Sequence, residues 1–137
     1  MSEGFIFIED TLRTPSSIVC SMDPDILLGD GYSIAHIIVD VFDSYGNPVH
    51  LTDYTGTSVG DFTISPPTIT SGEGTLTSMG EYYNRKTYRY VAPVASVSFS
   101  KTLTFKVSNS VPEFVHNSEG TDILDSVTIS IIVPRTS

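Results

Sequence analysis

Apolar and polar residues alternate with period two along much of this chain. The clearest case is Gly31 to Val49, reading GYSIAHIIVDVFDSYGNPV. Ala35, Ile37, Val39 and Val41 fall on one face of an extended strand; His36, Ile38, Asp40 and Phe42 fall on the other. Successive side chains of a strand point to opposite faces, and β-branched residues suit that geometry. Turn residues bound the run, Gly29-Asp30-Gly31 before it and Asp43 to Pro48 after it. A long strand with its Ala35-to-Val41 face buried is predicted. The flanking glycines and the Ile/Val content argue against a buried helix.

The same reading extends in both directions. Ser17 to Met22 is a first strand, broken by Asp23-Pro24-Asp25 because proline lacks an amide donor. Ile26 to Leu28 is a short apolar run, the pattern of a first strand that switches sheets after a kink. His50 to Ser58 is irregular. Val59 to Ser65 is a strand with Phe62 and Ile64 inward, ended by Pro66-Pro67. Ser71 to Gly74 is a turn, Thr75 to Met79 a short strand, and Gly80-Glu81 a break. Thr87 to Ala92 alternates Tyr88 and Tyr90 against Arg89 and Val91. Thr102 to Ser108 sets Leu103, Phe105 and Val107 on one face, and Ser126 to Val133 sets Val127, Ile129, Ile131 and Val133 inward. Asn109 to Asp125 is a long connection, of the length that is functional or disordered.

Seven to nine short strands punctuated by Gly and Pro, with no helical period, predict an all-β fold. The two-layer solution is a sandwich of antiparallel strands with Greek-key connections. Residues 15–137 form the expected domain, and 1–14 an extension or linker strand. Within it Phe5, Ile6, Phe7 and Ile8 are consecutive and apolar, an edge hazard unless covered. That strand pairs within this chain, with a neighbour or copy, or belongs to a preceding domain.

Charge narrows the partners. The chain has 137 residues, 16 acidic and 7 basic, for a net charge of −9. This excludes nucleic acid, whose phosphates need a basic face, and disfavours anionic lipid. Arg85, Lys86 and Arg89 form the one local basic cluster, a solvated strand end sooner than an anion site. Cys20 is the single cysteine, so no internal disulfide forms. Its parity with Ile18 and Met22 marks a small buried apolar residue. No stretch is long enough to span a bilayer as a helix. The acidic N-terminus lacks the cationic start of a secretory signal, so an exported protein implies that this is a segment of a longer chain.

Two stretches resemble a known family. Asp30, Gly31, Ala35, Val41, Asp43, Gly46, Asn47, Pro48 and Val49 match the Asp-Gly, strand, Asp-x-x-Gly-Asn-Pro-Val pattern of bacterial immunoglobulin-like repeats of the invasin/intimin type. The TYRYVAP run at 87–93 is similar to their Tyr-x-Tyr-x-Ala-Pro strand. The resemblance covers roughly Ser17 to Val133 and departs from the family at the long 109–125 connection. It implies an immunoglobulin-like two-sheet sandwich in a surface or secreted protein. One fold hosts many functions, so it says little of activity.

Candidate chemistry is sparse. His36, His50 and His116 have no zinc-motif spacing. There is no Gly-x-Ser-x-Gly elbow and no phosphate-binding glycine loop. Asp40 stands on the outer strand face and reads as solvated. Neither an enzyme nor a resident cofactor is expected. Calcium is the one cation considered, with Asp23, Asp25, Asp30, Asp43, Asp53, Glu119, Asp122 and Asp125 in or near loops. Acidic loops that merely give solubility are the simpler account. Tyr82 and Tyr83, read as a loop, suit sugar stacking or protein contact. Phe114, Val115, Ile123 and Leu124 are candidate contacts on the 109–125 connection, or tuck back onto the sandwich. The expected role is a non-catalytic spacer or adhesion module at a prokaryotic cell surface or outside the cell. Its partners would be neighbouring modules and a protein or glycan surface. The alternative is a carbohydrate- or wall-binding accessory module of an extracellular enzyme or virion protein.

Overall fold

The computed structural model describes residues 15–52, 55, 62–109 and 123–134. The Phe5-to-Ile8 strand, Val59, and the candidates Phe114 and Val115 lie outside the described residues. Eight strands are formed: β1 (Ser17–Asp23), β2 (Ile26–Leu28), β3 (Ile34–Phe42), β4 (Phe62–Ser65), β5 (Thr75–Tyr82), β6 (Arg85–Val91), β7 (Phe99–Asn109) and β8 (Leu124–Ile132). They make two four-stranded sheets, ordered β1-β3-β6-β5 and β2-β8-β7-β4. Connections β3 to β4, β4 to β5 and β6 to β7 cross between the sheets, the Greek-key wiring of an immunoglobulin-like sandwich. Among the described residues no helix is long and apolar enough to cross a membrane.

The predicted alternation sets the core. Ala35, Ile37, Val39 and Val41 of β3 are all fully buried. They face Leu103, Phe105 and Val107 of β7, and Ile129 and Ile131 of β8, in one cluster. Burying each large aliphatic contributes about 1.5–3 kcal/mol. The outer face of the second sheet is closed by hydroxyl pairs, Thr102 with Thr128 at 3.0 Å and Thr104 with Ser126 at 2.8 Å. Such cross-strand pairs explain where the chain's Ser and Thr are used.

The kink at Asp23-Pro24 behaves as predicted. β1 pairs antiparallel with β3, and after a cis Asp23-Pro24 bond β2 joins the other sheet. There it runs parallel to β8, the exception to antiparallel pairing. The expected break at Gly80-Glu81 does not occur. β5 runs on to Tyr82 through a bulge, where the register shifts between Ser78 and Gly80. Gly80 has a φ of 140°, so the glycine lets the strand bend without ending it.

Strand directions define two poles. β1, β4 and β8 start at one pole, where β3, β5 and β7 end. The turn after Phe42, the β5–β6 turn and the end of β7 therefore share that first pole. The opposite pole holds the ends of β2 and β8, since Leu28 pairs in register with Ile132.

Candidate functional site

The first pole carries the sequence's best-placed aromatics. Each arrives there by register. Val19, Asp40, Arg85 and Tyr82 pair in turn across all four strands of the first sheet. Directly paired residues share a face, so this row lies on the outer face. The Arg85 guanidinium donates from Nε to Asp40 Oδ1 at 2.8 Å and from Nη2 to Oδ2 at 3.1 Å. Asp40 is thus ion-paired, not simply solvated. The same hydrogen bonds raise the already high pKa of Arg85. Fork-to-fork pairing of this kind fixes geometry as well as charge. Phe42, half-buried, stands two residues along β3 from Asp40.

Tyr82 and Tyr83 are not one loop. Tyr82 is the last residue of β5, and Tyr83-Asn84 is a two-residue turn into β6. Tyr83 has a φ of 57°, a region that side-chain-bearing residues visit rarely. The turn is held there from below. The amides of Leu51 and Thr52 donate to the Tyr83 carbonyl at 2.6 and 3.1 Å. The Tyr83 amide donates to Thr52 Oγ1 at 2.8 Å. Leu51 and Thr52 are themselves buried. Asn84 and Val41 add two bonds, Val41 N to Asn84 O at 3.0 Å and Asn84 Nδ2 to Val41 O at 3.2 Å.

The rings follow from this clamp. Tyr83 meets His50 at 4.9 Å between centroids and Tyr82 edge-on at 4.5 Å. Tyr82 remains 54% exposed. Asp40, Phe42, Tyr82, Tyr83, Asn84 and Arg85 line a cleft of about 400 Å³. The sequence places Asn84 and Arg85 beside the two tyrosines, but nothing in it joins Asp40 or His50 to them. Asp40 and Arg85 are far apart in the chain, and only the β3–β6 register joins them.

The other candidates separate. Ile123 is buried in the core, and its carbonyl accepts from the Val107 amide at 2.9 Å. Leu124 is the first residue of β8 and is exposed. Ile123 thus tucks onto the sandwich, the second of the two readings given for it, because Val107 and Ile123 continue the β7–β8 ladder by one step. The basic cluster is dispersed, Arg85 on Asp40 and Lys86 near Glu81 at 3.6 Å.

Asp30, Asp43 and Asp125 have local partners, while Asp23 and Asp25 stand exposed on either side of Pro24. Asp30 accepts from the amides of Tyr32 and Ser33, both at 2.8 Å, which lowers its pKa. Asp43 accepts from the amides of Tyr45 and Asn47, both at 2.9 Å. Asp125 Oδ2 accepts from the Cys20 amide at 2.8 Å, bridging the two sheets. Burial pushes the Cys20 thiol up to about 12, with Asp125 and Asp40 adding to it. No group of three metal-ligating side chains occurs among the described residues. Asp53, Glu119, Asp122 and His116 lie outside them.

No protein-family model and no curated protein sequence matches the chain. Distant likeness appears among solved structures. A glycosyl hydrolase family 2 member from Bacteroides cellulosilyticus DSM 14838 superposes with a TM-score of 0.47 at 15% identity, over 85% of this chain and 15% of that one. A second structure of a family 2 member from Bacteroides cellulosilyticus gives 0.49 at 14% identity, over 86% and 14%. Domains 4 and 5 of the S-layer protein SbsC give 0.41 at 15% identity, over 89% and 48%. The chain thus spans about 15% of the length of the glycosyl hydrolase chains it resembles. Likeness at this level carries no activity across.

Proposed function

We propose that this chain is a non-catalytic immunoglobulin-like module of a prokaryotic cell-surface or secreted protein, a spacer or adhesion unit set in line with its neighbours. The observation that carries this reading is the opposition of the poles. The described chain enters β1 at the pole of Phe42 and Tyr83, and leaves β8 at the pole of Leu28. From Ser17 to Leu28 the chain runs one way, on the order of 35 Å at about 3.3 Å per residue. Modules threaded so extend end to end.

The invasin/intimin type is supported by the turn after β3, where each motif residue has a task. Asp43 receives two turn amides, and its own amide donates to the Asn47 carbonyl at 2.8 Å. Gly46 takes a φ of 84°, and Val49 is buried. The lack of catalysis is supported by the carboxylates of Asp30, Asp40, Asp43 and Asp125, each engaged with a turn, a strand amide or an arginine.

Small-angle scattering of two whole copies joined in tandem tests the in-line reading. The maximum dimension is expected to be nearly twice that of one copy. A tandem little longer than a single copy rejects it.

A further inference from the structure

We infer that the cleft between Tyr82 and the Asp40–Arg85 pair binds a neutral pyranoside unit of a glycan chain. A pyranose has an apolar face of C–H groups and a rim of hydroxyls that both donate and accept. The row across the first sheet offers the counterpart of each. Tyr82, 54% exposed, presents a ring for the apolar face. Phe42 extends that apolar floor from β3.

Asp40 and Arg85 meet the rim. A carboxylate has about four lone-pair positions and a guanidinium five N–H donors. Their mutual pairing uses two of each. Acceptors and donors therefore remain side by side, in the arrangement that adjacent hydroxyls need. Because the two charges hold each other, the pair presents polarity without a net charge.

The cleft is also built before any ligand arrives. Tyr83 is fixed in its uncommon conformation by Leu51 and Thr52, and its ring braces Tyr82 edge-on. Rigid aromatics lose little freedom on binding, which is how preformed sites gain affinity. Residues in rare backbone conformations persist where the surroundings over-determine them, and they cluster at ligand clamps.

Neutral sugar is favoured over acidic sugar by the whole molecule's field. A net charge of −9 disfavours the approach of polyanions. Within the cleft the one cation, Arg85, is already matched by Asp40. The inference does not rest on the in-line reading: a chain of such modules without this cleft, or one isolated module with it, is each self-consistent.

The test is titration of the full 137-residue chain, followed by amide NMR and calorimetry. The probes are cello-, manno- and xylo-oligosaccharides, with oligogalacturonate and a sulfated glycan as the acidic arm. Saturable binding of at least one neutral probe is expected, with shifts at Tyr82 and Arg85. Tyr82→Ala is expected to weaken it by about tenfold or more, the scale of one truncated anchor. Tyr82→Phe should retain it. Circular dichroism of Tyr82→Ala should match the parent, since the ring is exposed. No saturable neutral probe, binding of the acidic probes alone, or a Tyr82→Ala variant that binds like the parent each overturns the inference.

Discussion

Four tyrosines stand on the β5–β6 hairpin, and its two ends put them to opposite uses. Tyr88 and Tyr90, in the return strand, are 1% and 0% exposed. Tyr88 packs on Phe105 with centroids 5.0 Å apart, and Tyr90 sends its hydroxyl to the Glu73 carbonyl at 2.5 Å. Tyr82 and Tyr83, at the tip, meet each other, His50 and open space. The difference is strand parity. Tyr88 and Tyr90 share the inward face, while Tyr82 pairs with outward Arg85. One residue type thus closes the core at one end and builds a surface at the other.

The sharpest way to break this contrast is Tyr88→Ala. Removing a buried aromatic should cost about 3–5 kcal/mol, read from urea unfolding. A cost below about 1 kcal/mol, the scale of an exposed site, would erase the distinction. Gly74→Ala comes next. Its φ is 113°, and an added methyl would run into the Tyr90 ring. A loss of about 2–3 kcal/mol is expected from strain and overpacking together.

Alkali should separate the inner groups from the outer ones. Burial raises the pKa of Tyr88 and Tyr90 above the ordinary 10.0, and that of Cys20 from 9.0 to about 12. Each group holds its proton more tightly in the folded state. The unfolded state therefore binds fewer protons above the ordinary values, and stability falls as pH rises. The melting temperature should be level from about neutral pH to about pH 9 and decline from there toward 12. In absorbance titration Tyr88 and Tyr90 should ionise only with unfolding. Ionisation of all tyrosines while the fold persists would contradict their burial.

Smaller effects finish the comparison. Tyr90→Phe keeps the ring and deletes one hydrogen bond, for about 0.5–1.5 kcal/mol. Tyr82→Ala should change stability by no more than about 0.5 kcal/mol. That near-silence is what makes it a clean probe of binding.

The inward faces of β3, β7 and β8 were legible because alternation and burial coincide there. The sheet switch was legible from Pro24 between two apolar runs. β5 was misread because a glycine that ends a strand and one that bulges it look alike in sequence; the partner β6 decides. The site was half legible. Tyr82 and Tyr83 announce themselves by type, but Asp40 meets Arg85 only through a register that no local pattern encodes. The clamp under Tyr83 was invisible, because Leu51 and Thr52 lie in a stretch without period. For Ile123 the sequence leaves loop and sandwich both open, because the ladder's last step depends on Val107, in another strand.

The parallel β2–β8 pair has a mechanical consequence. Tension applied through the two ends of the described sandwich would pull β2 and β8 along their own length in opposite senses. Gly29 N to Ile132 O and Ser130 N to Asp25 O, at 2.8 and 2.9 Å, lie across that direction. Loaded in shear, such bonds must fail together rather than unzip singly, so rupture would be set by the height of one barrier.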